Sequence, residues 1–68
     1  MTQTEVATLQ QIITNLKVCK QAALGNAELA KVAKLRSLNQ SFKGKADGLD
    51  LAISIITLAI LENEEVSA

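Results

Sequence analysis

The segment 49–61, with the sequence LDLAISIITLAIL, constrains the fold of this chain more than any other. Its polar residues are Asp50, Ser54 and Thr57, and with Asp47 and Glu64 they recur at intervals of three, four, three and seven. This spacing is typical of one side of an α-helix, and with the length of the segment it argues against a strand. We therefore predict a helix over 47–64 with a narrow polar stripe and an apolar arc roughly 220° wide.

The apolar arc of this helix carries two rows of large side chains. One row is Leu51, Ile55 and Leu58, and the other is Leu49, Ile53, Ile56 and Ile60. Between the rows, Ala52 and Ala59 form a shallow groove where another helix could approach closely. Two rows of this size indicate two packing partners, and both partners must come from the chain itself or from another molecule.

A row left in water has a high cost for a chain this small. Complete burial of one Leu or Ile stabilises a protein by roughly 1.5–3 kcal/mol, so three or four exposed residues forgo on the order of 5–12 kcal/mol. We therefore expect the chain to associate, and the residue pattern does not tell which row binds and which builds the domain. The candidate partner-binding residues are Leu51, Ile53, Ile55, Ile56, Leu58 and Ile60.

The length and the cysteine count limit how the fold can be stabilised. The 68 residues predict a single helical domain, and a domain of this size buries only about 60% of the surface of its unfolded chain. The chain has one cysteine, Cys19, and no histidine, so we expect neither an internal disulfide nor a metal site. The remaining ways to stabilise the fold are association with another chain and unusually good helix packing.

The first helix is predicted over about 3–24. Thr2 and Glu5 have the spacing of a capping box, in which each side chain accepts from the backbone amide of the other. One arc of roughly 140° is apolar. Its residues are Val6, Leu9, Ile12, Ile13, Leu16, Cys19, Ala23 and Leu24. Cys19 on this face is expected to be buried and inert.

Two breaks are predicted in the middle of the chain. Gly25 and Asn26 resemble a helix stop followed by a cap, which gives a second helix over about 27–43; one continuous, kinked helix is the alternative. Leu29, Val32, Leu35 and Leu38 step by three, so their stripe drifts, and this helix either wraps a partner or breaks near Ser37.

The second break is predicted at 44–46, with Asp47 as the cap of the last helix and Asp50 strengthening its start. The predicted fold is therefore all-α. It is a small helical hairpin or a three-helix bundle, and we expect self- or hetero-association to complete it. The alternative is a monomeric three-helix bundle, in which the second helix covers the remaining row.

Catalytic chemistry is not expected. Without histidine the commonest general base is missing, and neither Ser41 nor Ser54 has an activating partner in the sequence. Gly44 and Gly48 do not form a phosphate loop, so we predict no enzyme activity and no cofactor. No signal peptide or membrane span is predicted, because the longest apolar stretch is shorter than roughly 18 residues. We expect a cytoplasmic protein.

The charges are segregated although the net charge is zero. All seven basic residues lie in the middle of the chain: Lys17, Lys20, Lys31, Lys34, Arg36, Lys43 and Lys45. Five of the seven acidic residues follow Lys45. A basic middle segment can indicate nucleic acid, but solvated helix faces explain the pattern better, because base stacking needs aromatic side chains and Phe42 is the only one.

The segment 45–60, KADGLDLAISIITLAI, resembles the C-terminal helix of the small E-component co-chaperones of type III secretion needle subunits, the YscE-like proteins. The resemblance covers about a quarter of the chain. It implies a helical hairpin that pairs with a larger helical-repeat chaperone and, with it, keeps the needle subunit soluble before export.

The main functional hypothesis is a non-enzymatic, protein-binding helical module of this co-chaperone kind. One alternative is a self-assembling phage- or plasmid-type regulator that binds nucleic acid through Lys31, Lys34, Arg36, Lys43 and Lys45. Another is a helical oligomer that sequesters a small ligand. The sequence leaves open whether the partner is another protein or a second copy.

Overall fold

The computed structural model of the protein describes residues 2–67, and its side chains through Glu62. It contains two α-helices, α1 from Gln3 to Val32 and α2 from Arg36 to Ser67, joined by a short turn. The helices pack side by side as a helical hairpin, one of the two predicted architectures. The predicted division into helices over 3–24, 27–43 and 47–64, and with it the three-helix bundle, is wrong.

The start of α1 follows the sequence prediction. The Thr2 hydroxyl accepts from the Glu5 amide at 3.1 Å, and the Glu5 carboxylate accepts from the Thr2 amide at 3.3 Å. These two bonds satisfy amide groups that have no partner inside the helix. Hydrogen bonding of the Glu5 carboxylate to Thr2, first to its side chain and then to its backbone amide, lowers the pKa of Glu5 below its ordinary value.

The chain reverses at 33–35, where no glycine lies. Ala33 is the C-cap of α1, Lys34 has a φ of 62°, and the Leu35 amide donates to the Ala30 carbonyl at 2.8 Å. With the bond from the Lys34 amide to the Lys31 carbonyl, at 3.0 Å, these are the bonds of a Schellman motif. A lysine takes the left-handed position that glycine usually occupies, which is why the sequence carries no stop signal there.

The predicted breaks at Gly25 and at 44–46 are wrong, since both lie inside continuous helices, and at Gly25 the alternative of one continuous helix is correct. Asn26 and Asp47 are therefore interior helix residues and not caps. Glycine inside a helix costs only about 1 kcal/mol relative to alanine. A reversal at the midpoint lets two long helices cover each other, and that burial outweighs the local preference.

An unbroken seam joins the helices along their length. On α1, the side chains that are not fully exposed alternate in steps of three and four: Val6, Leu9, Ile13, Leu16, Lys20, Ala23, Ala27 and Ala30. On α2 the same spacing gives a set that we call the inner stripe: Asn39, Phe42, Ala46, Leu49, Ile53, Ile56 and Ile60. Alternating steps of three and four are the spacing of a coiled coil.

Two polar contacts fix the register of the seam. Near the turn, the Asn39 amide donates from Nδ2 to the Ala27 carbonyl at 2.7 Å, and halfway along, Lys20 Nζ lies 2.8 Å from Asp50 Oδ1. Lys20 occupies a position of the α1 seam where most residues are apolar, and its ammonium group forms an ion pair with Asp50. Both contacts match an antiparallel pair of helices that diverges from the turn at 33–35.

The core is thin. Only Ala23, Ala27, Ala30, Ala46 and Ile60 are buried among the described side chains, and no large side chain is completely enclosed. The hairpin measures 51 × 16 × 10 Å, and its radius of gyration is 15.6 Å, whereas a compact domain of this length has about 11 Å. An elongated two-helix hairpin has only one internal interface, so each helix keeps an outward face.

Candidate protein-binding face

The two rows of α2 lie on opposite sides of the helix. Ile53, Ile56 and Ile60, with Leu49, belong to the inner stripe and pack towards α1. Leu51, Ile55 and Leu58 point away from α1 and remain 63%, 59% and 56% exposed. The six candidate residues therefore divide into three that build the hairpin and three that are available to a partner.

Two glycines continue the exposed row towards the turn. Gly44 and Gly48 precede Leu51 by seven and three residues, so they share its side of α2. We call Gly44, Gly48, Leu51, Ile55 and Leu58 the outer stripe. This continuation of the row was not predicted, because Gly44 was assigned to a connection between helices.

Neither glycine of the outer stripe is required by the hairpin itself. A Cβ atom added at Gly44 or Gly48 would meet nothing within 4 Å, and neither residue has a positive φ. Glycine there weakens the helix without easing any close contact inside the chain. The outer stripe is thus a hollow beside a ridge of three large apolar side chains.

A second set of exposed apolar side chains lies around the turn. Leu29, Val32 and Leu35 are between half and three-quarters exposed. Leu29 and Val32 lie on the outward side of α1, and Leu35 lies in the turn. These apolar residues therefore do not form one straight stripe along a single helix. The drift accompanies the change of direction at 33–35, close to the break near Ser37 that the spacing allowed.

The basic residues gather at the turn end of the hairpin. Lys31, Lys34 and Arg36, together with Leu35 and Asn39, line an open cavity of about 240 Å³. Lys43 and Lys45 follow in the next turns of α2 and are exposed, as is Glu62 at the opposite end. The hairpin therefore has a basic turn end and an acidic open end.

Cys19 is exposed, which corrects the expectation that it is buried on the apolar face. It lies next to Lys20 at the margin of the seam, so the predicted arc was centred too far to one side. Ile12 and Leu24, assigned to the same arc, are also exposed. The true seam follows the smaller residues Ala23, Ala27 and Ala30, which a pattern of large apolar residues does not reveal.

Within the described residues, no cluster of histidine, cysteine, aspartate or glutamate could hold a metal ion. No helix of that part of the chain is long and apolar enough to cross a membrane. The described part of the chain exposes apolar and charged helix faces.

The chain matches no protein-family model, no curated protein and no solved structure.

Proposed function

We propose that this protein is a non-enzymatic binding module whose outer stripe docks against a helix of a partner protein. The observation that carries the proposal is the exposure of Leu51, Ile55 and Leu58, each more than half accessible on a regular helix. Helix-in-groove recognition uses anchors with this spacing.

The energetics of the outer stripe support the proposal. Complete burial of a Leu or Ile is worth roughly 1.5–3 kcal/mol, and more than half of each of these three side chains is still in water. About 3–5 kcal/mol of apolar stabilisation is therefore unused in the isolated hairpin. Contiguous apolar surface of this kind usually marks an interaction site.

The finer proposal is a co-chaperone of a type III secretion needle subunit. Its support is the resemblance of segment 45–60 to the YscE-like proteins, which implies a helical hairpin, the fold that this chain adopts. In this role the outer stripe would dock on the larger helical-repeat chaperone.

The test is co-purification of the chain with a needle subunit and its helical-repeat chaperone, followed by titration calorimetry of the complex. Ile55→Asp is expected to weaken binding at least 100-fold while leaving the helical circular dichroism unchanged, because Ile55 lies on the side of α2 that faces away from α1. Gln21→Asp is the matched control, since it adds the same charge at an exposed position of α1.

Two results would contradict the proposal at different levels. If no complex forms with the needle components, the co-chaperone role is wrong. If a complex forms and Ile55→Asp binds as well as the unsubstituted chain, the outer stripe is not the docking surface.

A further inference from the structure

We infer that a second copy of this chain occupies the outer stripe of the isolated protein, with the two α2 helices packed antiparallel about a twofold axis. This inference rests on the proposed function, because it names a partner for the same surface. It adds that any other partner must displace the second copy.

The accessible surface shows how much area is available for this contact. The chain exposes 5076 Å², whereas a monomeric protein of 7.2 kDa typically exposes about 4,100 Å². The excess is about 1,000 Å² per chain. A standard protein interface buries about 800 Å² on each partner, so one dimer contact removes most of the excess.

The shape of the outer stripe favours an antiparallel partner. The end nearer the turn is hollow, at Gly44 and Gly48, and the other end is a ridge that finishes with Leu58. A twofold axis near Ile53 sets Gly48 of each copy opposite Leu58 of the other, and Leu51 opposite Ile55. A parallel pair would set glycine against glycine and leave the hollow unfilled.

The charges favour the same orientation. Lys43 and Lys45 flank the glycine end of the stripe, and Glu62 follows the leucine end in the same register. Antiparallel packing about this axis brings the two lysines of one copy beside Glu62 of the other. A parallel pair would bring the basic turn ends of both hairpins together, where like charges repel.

Self-association is measured by light scattering coupled to size exclusion over a dilution series of the full chain. The expected mass is twice the chain mass of 7.2 kDa. Gly48→Leu fills the hollow and is expected to raise the dimer dissociation constant at least tenfold. Because leucine forms helices better than glycine, this variant keeps its helical circular dichroism.

Gly25→Leu is the matched control. Gly25 is also an exposed glycine inside a helix, and a Cβ atom added to it would meet nothing within 4 Å, but it lies on α1, away from the outer stripe. This variant should dimerise as the unsubstituted chain does. A dimer that survives Gly48→Leu but is lost with Leu29→Asp would overturn the inference, because the apolar residues at the turn would then form the interface.

The orientation is measured by spin-label distances with a label at Ser37→Cys in a Cys19→Ser background. Ser37 lies sixteen residues from the proposed axis, so two labels in an antiparallel dimer are about 50 Å apart. In a parallel dimer they would lie across helix axes separated by only about 10 Å. A short distance would overturn the antiparallel arrangement.

Failure of this inference can be distinguished from failure of the proposed function. The first case is a chain that is monomeric at every concentration and whose needle-chaperone complex is lost with Ile55→Asp. This result contradicts the dimer but supports the outer stripe as the docking surface. A dimer sensitive to Gly48→Leu, in a chain that binds no needle components, supports the dimer and contradicts the co-chaperone role.

Discussion

The inner and outer stripes of α2 have the same spacing but different surroundings. Both alternate in steps of three and four, and both carry large apolar residues over 49–60. Ile60 of the inner stripe is 8% exposed against α1, whereas Ile55 of the outer stripe is 59% exposed. Spacing therefore determines which residues share a face, but the number of neighbouring helices determines which face is covered.

The largest expected effect compares two adjacent isoleucines. Ile56→Asp places a charge in the seam with α1 and should destabilise the hairpin by about 3 kcal/mol or more, because a charge buried without a partner is strongly unfavourable. Ile55→Asp places the same charge on the outer stripe and should leave the monomer folded. Urea unfolding followed by circular dichroism measures both, and similar losses in the two variants would contradict the assignment of the stripes.

The next effect concerns the close approach of the helices near the turn. Ala46 is 2% exposed and faces α1, where Ala23 and Ala27 are similarly enclosed. Ala46→Leu should cost about 1–3 kcal/mol, because the added volume forces the helices apart. Ala22→Leu, at an exposed position of α1, is the control and should change the free energy of unfolding by less than about 0.5 kcal/mol.

The smallest effect concerns the glycines of the outer stripe. Gly48→Ala should raise the stability of the monomer by roughly 0.5–1 kcal/mol, because it reduces the backbone entropy of the unfolded chain and meets no neighbour in the hairpin. Thermal unfolding in the Ile55→Asp background measures it without a contribution from self-association. A loss of stability there would mean that this glycine is needed inside the hairpin.

The local features of the chain were predictable. The helical character of 49–61, its two rows and the Thr2–Glu5 capping box each depend on residues within a few positions of one another. Such features follow from the period of the helix and the unpaired amides at its start. They are present in the sequence because they need no distant partner.

The position of the reversal was only partly predictable, because the spacing from Leu29 to Leu38 allowed a break near Ser37 while the glycines indicated other positions. Gly25 and Gly44 suggested breaks, yet neither is at the turn, and Lys34 adopts the left-handed conformation instead.

A better signal of a continuous helix was present. The alternating steps of three and four run from Lys20 through Ala23 and Ala27 without interruption at Gly25. Its residues are small or charged, so the pattern of large apolar side chains does not show it.

By itself, the sequence determined that this protein is helical and that two rows of large side chains share its last helix. The tertiary structure decided where the chain reverses and which row α1 covers. The reason is the range of the forces involved. Helical periodicity is local, whereas the turn is chosen by the burial summed along two whole helices, which exceeds the preference of about 1 kcal/mol at any one glycine.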